Sequence, residues 1–231
     1  MTYLLPLTTT ADERDKRVAV LPVGSLEQHG RYLPLITDTV IACTIAERIA
    51  AAYPVQLLPP ITISCSHEHA AWPGTVSISA RTLYDVVRDI ADSLARSGVP
   101  NLVVVNGHGG NYVLSNVVQE SRGRMSLFPA FEDWESVRAA AGMEVSAYDD
   151  MHGGELETSI LLHAHPELVK PGYEASDHDG GSRRFLLTSG MGPYTESGVI
   201  GRASLASARK GEDLLAGLVG AFRDHLVVLD G

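Results

Sequence analysis

Two cysteines in 231 residues, Cys43 and Cys65, are too few for a disulfide scaffold or for a zinc site built of thiolates alone. Cys43 lies within the apolar run VIACTIAERIA and reads as a small core residue. Cys65 has no basic neighbour in sequence to lower its pKa and reads as buried filler rather than a nucleophile. The chain also lacks a run of about 18 apolar residues, the minimum for a bilayer span. Its N-terminal MTYLLPLTTTADERDKR has no basic segment followed by an apolar stretch, so a signal peptide is not expected. Positive charge is short as well: 18 Lys and Arg against 28 Asp and Glu leave a formal net charge of -10. Phosphate binding needs a positive field, so a nucleic-acid partner is not expected, and the pair Arg183-Arg184 is too short to reverse that. The expectation is a cytoplasmic protein with neither nucleic-acid nor membrane partners.

What is present is an ordinary globular balance, 45% hydrophobic and 20% charged, long enough for a substantial core and read as one domain over 1–231. Short apolar runs alternate with helical periodicity. VAVLPVG (18–24) predicts a buried strand ending in a loop, and Thr39 to Ala52 a helix with Asp38 at its N-cap. VQLLPPITIS (55–64) is strand material broken by Pro59-Pro60. Thr82 to Ser97 is the clearest amphipathic helix, with Leu83, Val86, Val87, Ile90 and Leu94 on one face and Gly98 as its stop. NLVVVNGHGGN predicts a buried strand running into a glycine-rich turn, with a helix following from Tyr112 to Glu120. SLFPAF (126–131) is weaker strand material, Leu156 to Ala164 a helix, and Leu205 to Val228 contains a final long one. This alternation predicts an α/β fold with a mostly parallel sheet covered on both faces. Ligands in such sheets bind beyond the carboxyl ends of the strands. The polar clusters GSLEQHG, SCSHEH and NGHGG each follow a strand-like run and are expected to share one rim.

Within the first cluster, Glu27 and His29 are alternate residues of an extended segment and point to one side. Carboxylate and imidazole together suit zinc, manganese or iron. Asp38, at a loop-to-helix junction, is placed to bridge two ions; the bland alternative is a polar loop with a capping Asp. In the second cluster, His108 ends a buried strand, and Gly107, Gly109 and Gly110 allow close approach of a ligand. A tight turn or a phosphate cradle would use the same residues, but neither the GxxxxGK[ST] nor the GxGxxG spacing is met. In the third, His152, Glu155 and Glu157 crowd a glycine turn before a helix. Carboxylates are favoured in a first helical turn, which competes as an explanation for Glu157, whereas His152 with Glu155 reads as functional. The run His67-Glu68-His69 lacks the HExxH spacing of zinc proteases. It and Trp72 read as rim, support or substrate contacts, and His163, His165, His178 and His225 as structural or surface residues.

Taken together the motifs are similar to those of the creatininase (creatinine amidohydrolase) family. The matching segments are LPVGSLEQHGRYLPLITDT, SHEHAAWPGTVSIS, VVVNGHGGN, MHGGELETSILL and GVIGRASLASARKG, in the family's order and over nearly the whole chain. The resemblance implies a three-layer α/β/α sandwich, two divalent metal ions (zinc, manganese or iron) and a homo-oligomer, often a hexamer. It implies that Glu27 and His108 hold one ion, His29 the other, and that Asp38 bridges them. Creatininase itself carries a glutamate ligand two residues after the strand-end histidine, where this chain has Gly110. Glu155 is expected to replace it, as in the branches that cleave formamides or trim peptides in mycofactocin maturation, and creatinine is accordingly not the expected substrate. Arg31-Tyr32 stands where many members have Pro-His.

The expected activity is hydrolysis of a small or cyclic amide, a formamide or a biosynthetic intermediate by metal-activated water. Glu155 would ligate and accept the water proton, His152 would protonate the leaving amine, and Glu157 would orient them. His69, Trp72, Tyr32 and Gly109 are the expected substrate contacts. The alternatives are a mycofactocin-type peptidase on the same scaffold, a metal-binding subunit without catalysis, and a nucleotide-binding module using NGHGG. The last predicts protection by ATP or NAD and no metal dependence.

Overall fold

The structure is a computed structural model and describes residues 5–230. At its centre, β1 (Val18–Val23) and β3 (Asn101–Asn106) are apolar on both faces and lie side by side in parallel, Val20 opposite Val103 and Pro22 opposite Val105. Such two-sided strands are stable only when covered above and below. The short strand β2 (Gln56–Leu57) flanks β1, and β4 (Met125–Phe128) flanks β3, so that the four-stranded sheet runs β2-β1-β3-β4 with every pairing parallel.

Alternation along the strands divides the core. Val18 and Val20 of β1 and Val103 and Val105 of β3 face one layer, built from α1 (Thr37–Ala52), α4 (Phe131–Ala140), α5 (Glu155–Ala164) and α7 (Ala208–Asp230), and packed around Ile41, Ile45, Ile160, Leu218 and Phe222. Ala19, Leu21, Leu102 and Val104 face the other layer, made of α2 (Ala80–Arg96) and α3 (Val113–Glu120) and packed around Leu83, Val87, Leu114 and Val117. One further helical turn, α6 (Leu186–Ser189), lies outside these layers. The three-layer α/β/α expectation holds.

Several local expectations change. Residues 55–64 contribute only β2 and a single bridge from Ile61 to Val23. The Pro59-Pro60 pair removes two backbone donors and ends the ladder. On α2, Val86 is exposed and Ala91 takes its place in the buried stripe; Ser79 caps this helix by accepting from Thr82 N. Helix α1 begins two residues earlier than expected, so Asp38 is inside its first turn and caps nothing. Its carboxylate is engaged elsewhere. Helix α4 was not foreseen. Cys43 and Cys65 are both buried and free, as expected.

Candidate metal centre

The buried groups Glu27, His29, Asp38, His69, His108 and His152 converge beyond the carboxyl ends of β1 and β3. The loop after β1 supplies Glu27 and His29, the first turn of α1 supplies Asp38, and the loop after β3 supplies His108. A 3-10 turn at His67–His69 brings His69, and the segment entering α5 brings His152 and Glu157. The shared rim expected from sequence is therefore present.

Three of the imidazoles have the same construction. His29 Nδ1 lies 3.1 Å from the Glu27 carbonyl, His108 Nε2 lies 2.8 Å from the Cys65 carbonyl, and His152 Nε2 lies 2.5 Å from the Gln28 carbonyl. A carbonyl only accepts, so each of these nitrogens carries a proton and donates it. The opposite nitrogen of each ring then turns a lone pair inward. His29 Nε2 is 2.9 Å from Asp38 Oδ1 and 3.8 Å from Glu157 Oε1. His108 Nδ1 is 3.1 Å from both Glu27 Oε1 and Asp38 Oδ2, and His152 Nδ1 is 3.7 Å from Glu27 Oε1. A lone pair set against a carboxylate at about 3 Å is repulsive unless a cation, proton or metal, lies between them. Outer N–H groups held by backbone carbonyls are also what metal-ligating histidines use to fix their orientation.

The charges carry the same message. Burial opposes protonation of His29, yet the Asp38 and Glu157 carboxylates raise it to about 9. His108 is likewise raised, against its burial, by Glu27 and Asp38. Burial pushes Glu27 up, with Asp38 adding to the effect. Asp38, despite its burial, is held well below the usual carboxylate range by His29 and His108. Both Glu27 oxygens are buried without an in-line hydrogen bond, a costly state for a carboxylate. The donors fall into sets whose ligand atoms lie within 4.8 Å of one another: Glu27, Asp38 and His108; His29, Asp38 and Glu157; and Glu27, His29 and His152. This chemistry fits divalent metal ions.

Glu155, the expected fifth ligand, does not join them. Its buried carboxylate accepts from the backbone amides of Glu144 and Val145 and from Lys210 Nζ at 2.5 Å. Glu157 reaches the cluster instead. Its carboxyl is pushed up to about 7 by burial, with His29 acting in the opposite sense.

Substrate-contact candidates divide between cavities. Tyr32 and Trp72 line an open groove together with Gln28, Arg31 and His178. Gly109 lines a smaller cavity of about 160 Å³ that reaches His108 and Glu157 and is also lined by Pro129, Trp134 and Met151. His69, expected at the rim or in contact with substrate, is buried and turns its Nε2 to Glu27 at 3.2 Å. Burial and the neighbouring imidazoles His108 and His29 push it down to about 3, so it is neutral.

Sequence reasoning passed over Ser25, which donates to Asp38 Oδ2 at 2.7 Å, and Asp150, which accepts from the first amides of α5 and from Arg138. Neither carries a motif signal. His163, His165 and His225 bond to Arg48, Thr44 and the Ser126–Asp133 pair, and His178 to the Tyr194 carbonyl, in keeping with structural roles.

Comparison with known proteins shows the family of the chain. The family described as Creatininase: Creatinine amidohydrolase matches residues 7–226. A mycofactocin precursor peptide peptidase of Mycobacterium ulcerans (strain Agy99) is 34% identical over 212 residues, 87% of this chain and 80% of that protein. The creatinine amidohydrolase of Pseudomonas putida is 29% identical over 171 residues, 66% of each chain. Among solved structures, a creatinine amidohydrolase superposes with a TM-score of 0.80 at 25% identity, covering 92% of this chain and 90% of its own. A manganese form of creatininase gives 0.79 at 25% identity, covering 92% and 91%. From its first strand to its last helix, this chain belongs to the creatininase family of amidohydrolases.

Proposed function

We propose that the protein hydrolyses an amide C–N bond with two divalent ions. Glu27, Asp38 and His108 would hold one, and His29, Asp38 and Glu157 the other. The observation that carries this reading is the set of inward imidazole lone pairs set against buried carboxylates. Asp38 supports the bridging role because Oδ1 faces His29 and Oδ2 faces His108. Zinc, manganese and iron all suit imidazole and carboxylate donors. Bound as a pair, such ions supply Lewis acidity that activates water and polarises an amide carbonyl.

The residues around them divide the remaining work. His152 keeps its Nε2 proton on the Gln28 carbonyl, which leaves Nδ1 able to take a proton from the attacking water and give it to the departing nitrogen. The C–O bond forms, the C–N bond breaks, and the proton crosses on one imidazole. Gly109 leaves room for substrate in the cavity of about 160 Å³ beside His108 and Glu157, a volume suited to a formyl or other small acyl group. A second reading, trimming of a peptide by the same chemistry, draws on the 34% identical peptidase. It would use the groove lined by Tyr32 and Trp72 for the chain. A cytoplasmic homo-oligomer is the setting we assign to either activity.

The test is the metal content of the protein beside its Glu27→Gln and Asp38→Asn variants, followed by a screen of formamides, cyclic ureides and short peptides. About two transition-metal ions per chain, sharply reduced in both variants, is the expected result. A folded protein that takes up neither zinc, manganese nor iron would overturn the proposal.

A further inference from the structure

Resting on the metal reading above, we propose that Gln28 and His69 form a positioning relay that presents a fixed N–H donor to the ligand Glu27. The chain of donors has only one consistent sense. Gly30 N donates to Gln28 Oε1 at 2.9 Å, which fixes the oxygen of that amide. Gln28 Nε2 donates to the Gly198 carbonyl at 2.9 Å, which fixes its nitrogen. Reversing the amide would set two donors face to face at Gly30 and two acceptors face to face at Gly198. The same Nε2 lies 3.0 Å from His69 Nδ1. An amide nitrogen cannot accept, so His69 Nδ1 carries the lone pair and its Nε2 carries the proton.

His69 Nε2 is 3.2 Å from Glu27 Oε1, an electrostatic contact whose geometry falls short of a hydrogen bond in this structure. Three imidazole nitrogens surround that oxygen, from His69, His108 and His152. In the other two, the proton is committed to a backbone carbonyl on the far side of the ring. With His108 deprotonated at Nδ1, as metal binding requires, His69 alone of the three turns a proton, not a lone pair, towards Glu27. It is therefore unsuited to hold an ion through that atom and suited to steady a carboxylate that does.

The relay also depends on Gly198. Its φ is +88°, and a Cβ there would come within 1.7 Å of Gln28 Oε1. The GVIG segment, which pairs with the His152 backbone through Ile200, thereby also sets the position of Gln28.

The experiment combines zinc titration with ¹⁵N-histidine NMR of the zinc-loaded protein, His69 being assigned by its loss in His69→Gln. His69 is expected to be protonated at Nε2 and bare at Nδ1. Gln28→Glu, nearly isosteric, replaces the donor with an acceptor and should move that proton to Nδ1, weakening zinc binding about 10- to 100-fold. His69→Ala should weaken it similarly, and His69→Gln, which can return an amide N–H to Glu27, should restore most of the loss. A His69 found protonated at Nδ1 in the unsubstituted protein would overturn the relay. So would wild-type zinc affinity in both Gln28→Glu and His69→Ala. An unsubstituted protein that takes up no zinc would instead overturn the metal reading, and this inference with it.

Discussion

Glu155 and Glu157 begin the same helix and face opposite ways: Glu155 is bound to Lys210 at 2.5 Å, while Glu157 Oε1 lies 3.8 Å from His29 Nε2. Two residues of helix turn a side chain through about 200°, so one carboxylate serves the scaffold and the other the centre. Glu157→Gln should lose about 10-fold or more in affinity for one of two ions, read by metal titration, with little change in melting temperature. Glu155→Gln should do the reverse, keeping both ions and losing about 2 kcal/mol of stability as its charge-assisted bonds weaken.

On the proposed assignment, proton and metal compete for His29. Its pKa is raised from 6.5 to about 9 by Asp38 and Glu157 against the effect of burial. A histidine raised in the folded state contributes stability that is complete below its unfolded pKa and lost as pH climbs through the folded one. Chelator-treated protein should therefore lose melting temperature between pH 6.5 and 9. Apparent metal affinity should rise over the same interval, because each ion displaces protons. Thermal melts and titrations at fixed ionic strength check both, and a flat pH response would show that His29 is not protonated.

His152 offers Nδ1 for proton transfer, 3.7 Å from Glu27 Oε1, and belongs to neither of the two donor sets assigned to the ions. His152→Ala should keep both ions and lose about 10²- to 10⁴-fold in turnover. Wild-type turnover in this variant would remove the proton-carrying role. Loss of an ion would make His152 a ligand.

Gly198→Ala places a side chain at φ +88° and against Gln28 Oε1. The left-handed backbone alone costs about 1–2 kcal/mol, and displacement of Gln28 adds to it. Both stability and zinc affinity should fall, although residue 198 contacts none of the proposed ligands. Calorimetry and zinc titration on one preparation separate the two effects.

The parts of the centre that were legible in sequence are those attached to strand ends. Val18–Val23 and Asn101–Asn106 are apolar enough to be identified as central strands, and that places EQHG and NGHGG at the same rim. The choice between Glu155 and Glu157 was not legible, because it depends on the phase of α5 and so on where that helix starts. Asp150, which accepts from Glu155 N and Leu156 N, helps to set that start. Its pairing with Arg138 comes from α4, a helix too weakly patterned to foresee. Asp38 was found for its chemistry but misplaced as a cap, since a first-turn carboxylate and a capping one look alike in sequence. His69 was ambiguous for another reason: its proton is directed by Gln28, forty-one positions away along the chain.

Gly110 also limits how this centre can change. A Cβ at that position would come 2.1 Å from Glu68 Oε1 and 2.4 Å from His108 Nε2. Glu68 Oε1 is the far end of a flexible side chain and can swing away, whereas the His108 ring is held at Nε2 by the Cys65 carbonyl. A larger residue at 110 therefore presses on the orientation of His108, and a library that varies this position is expected to trade side-chain size there against metal affinity.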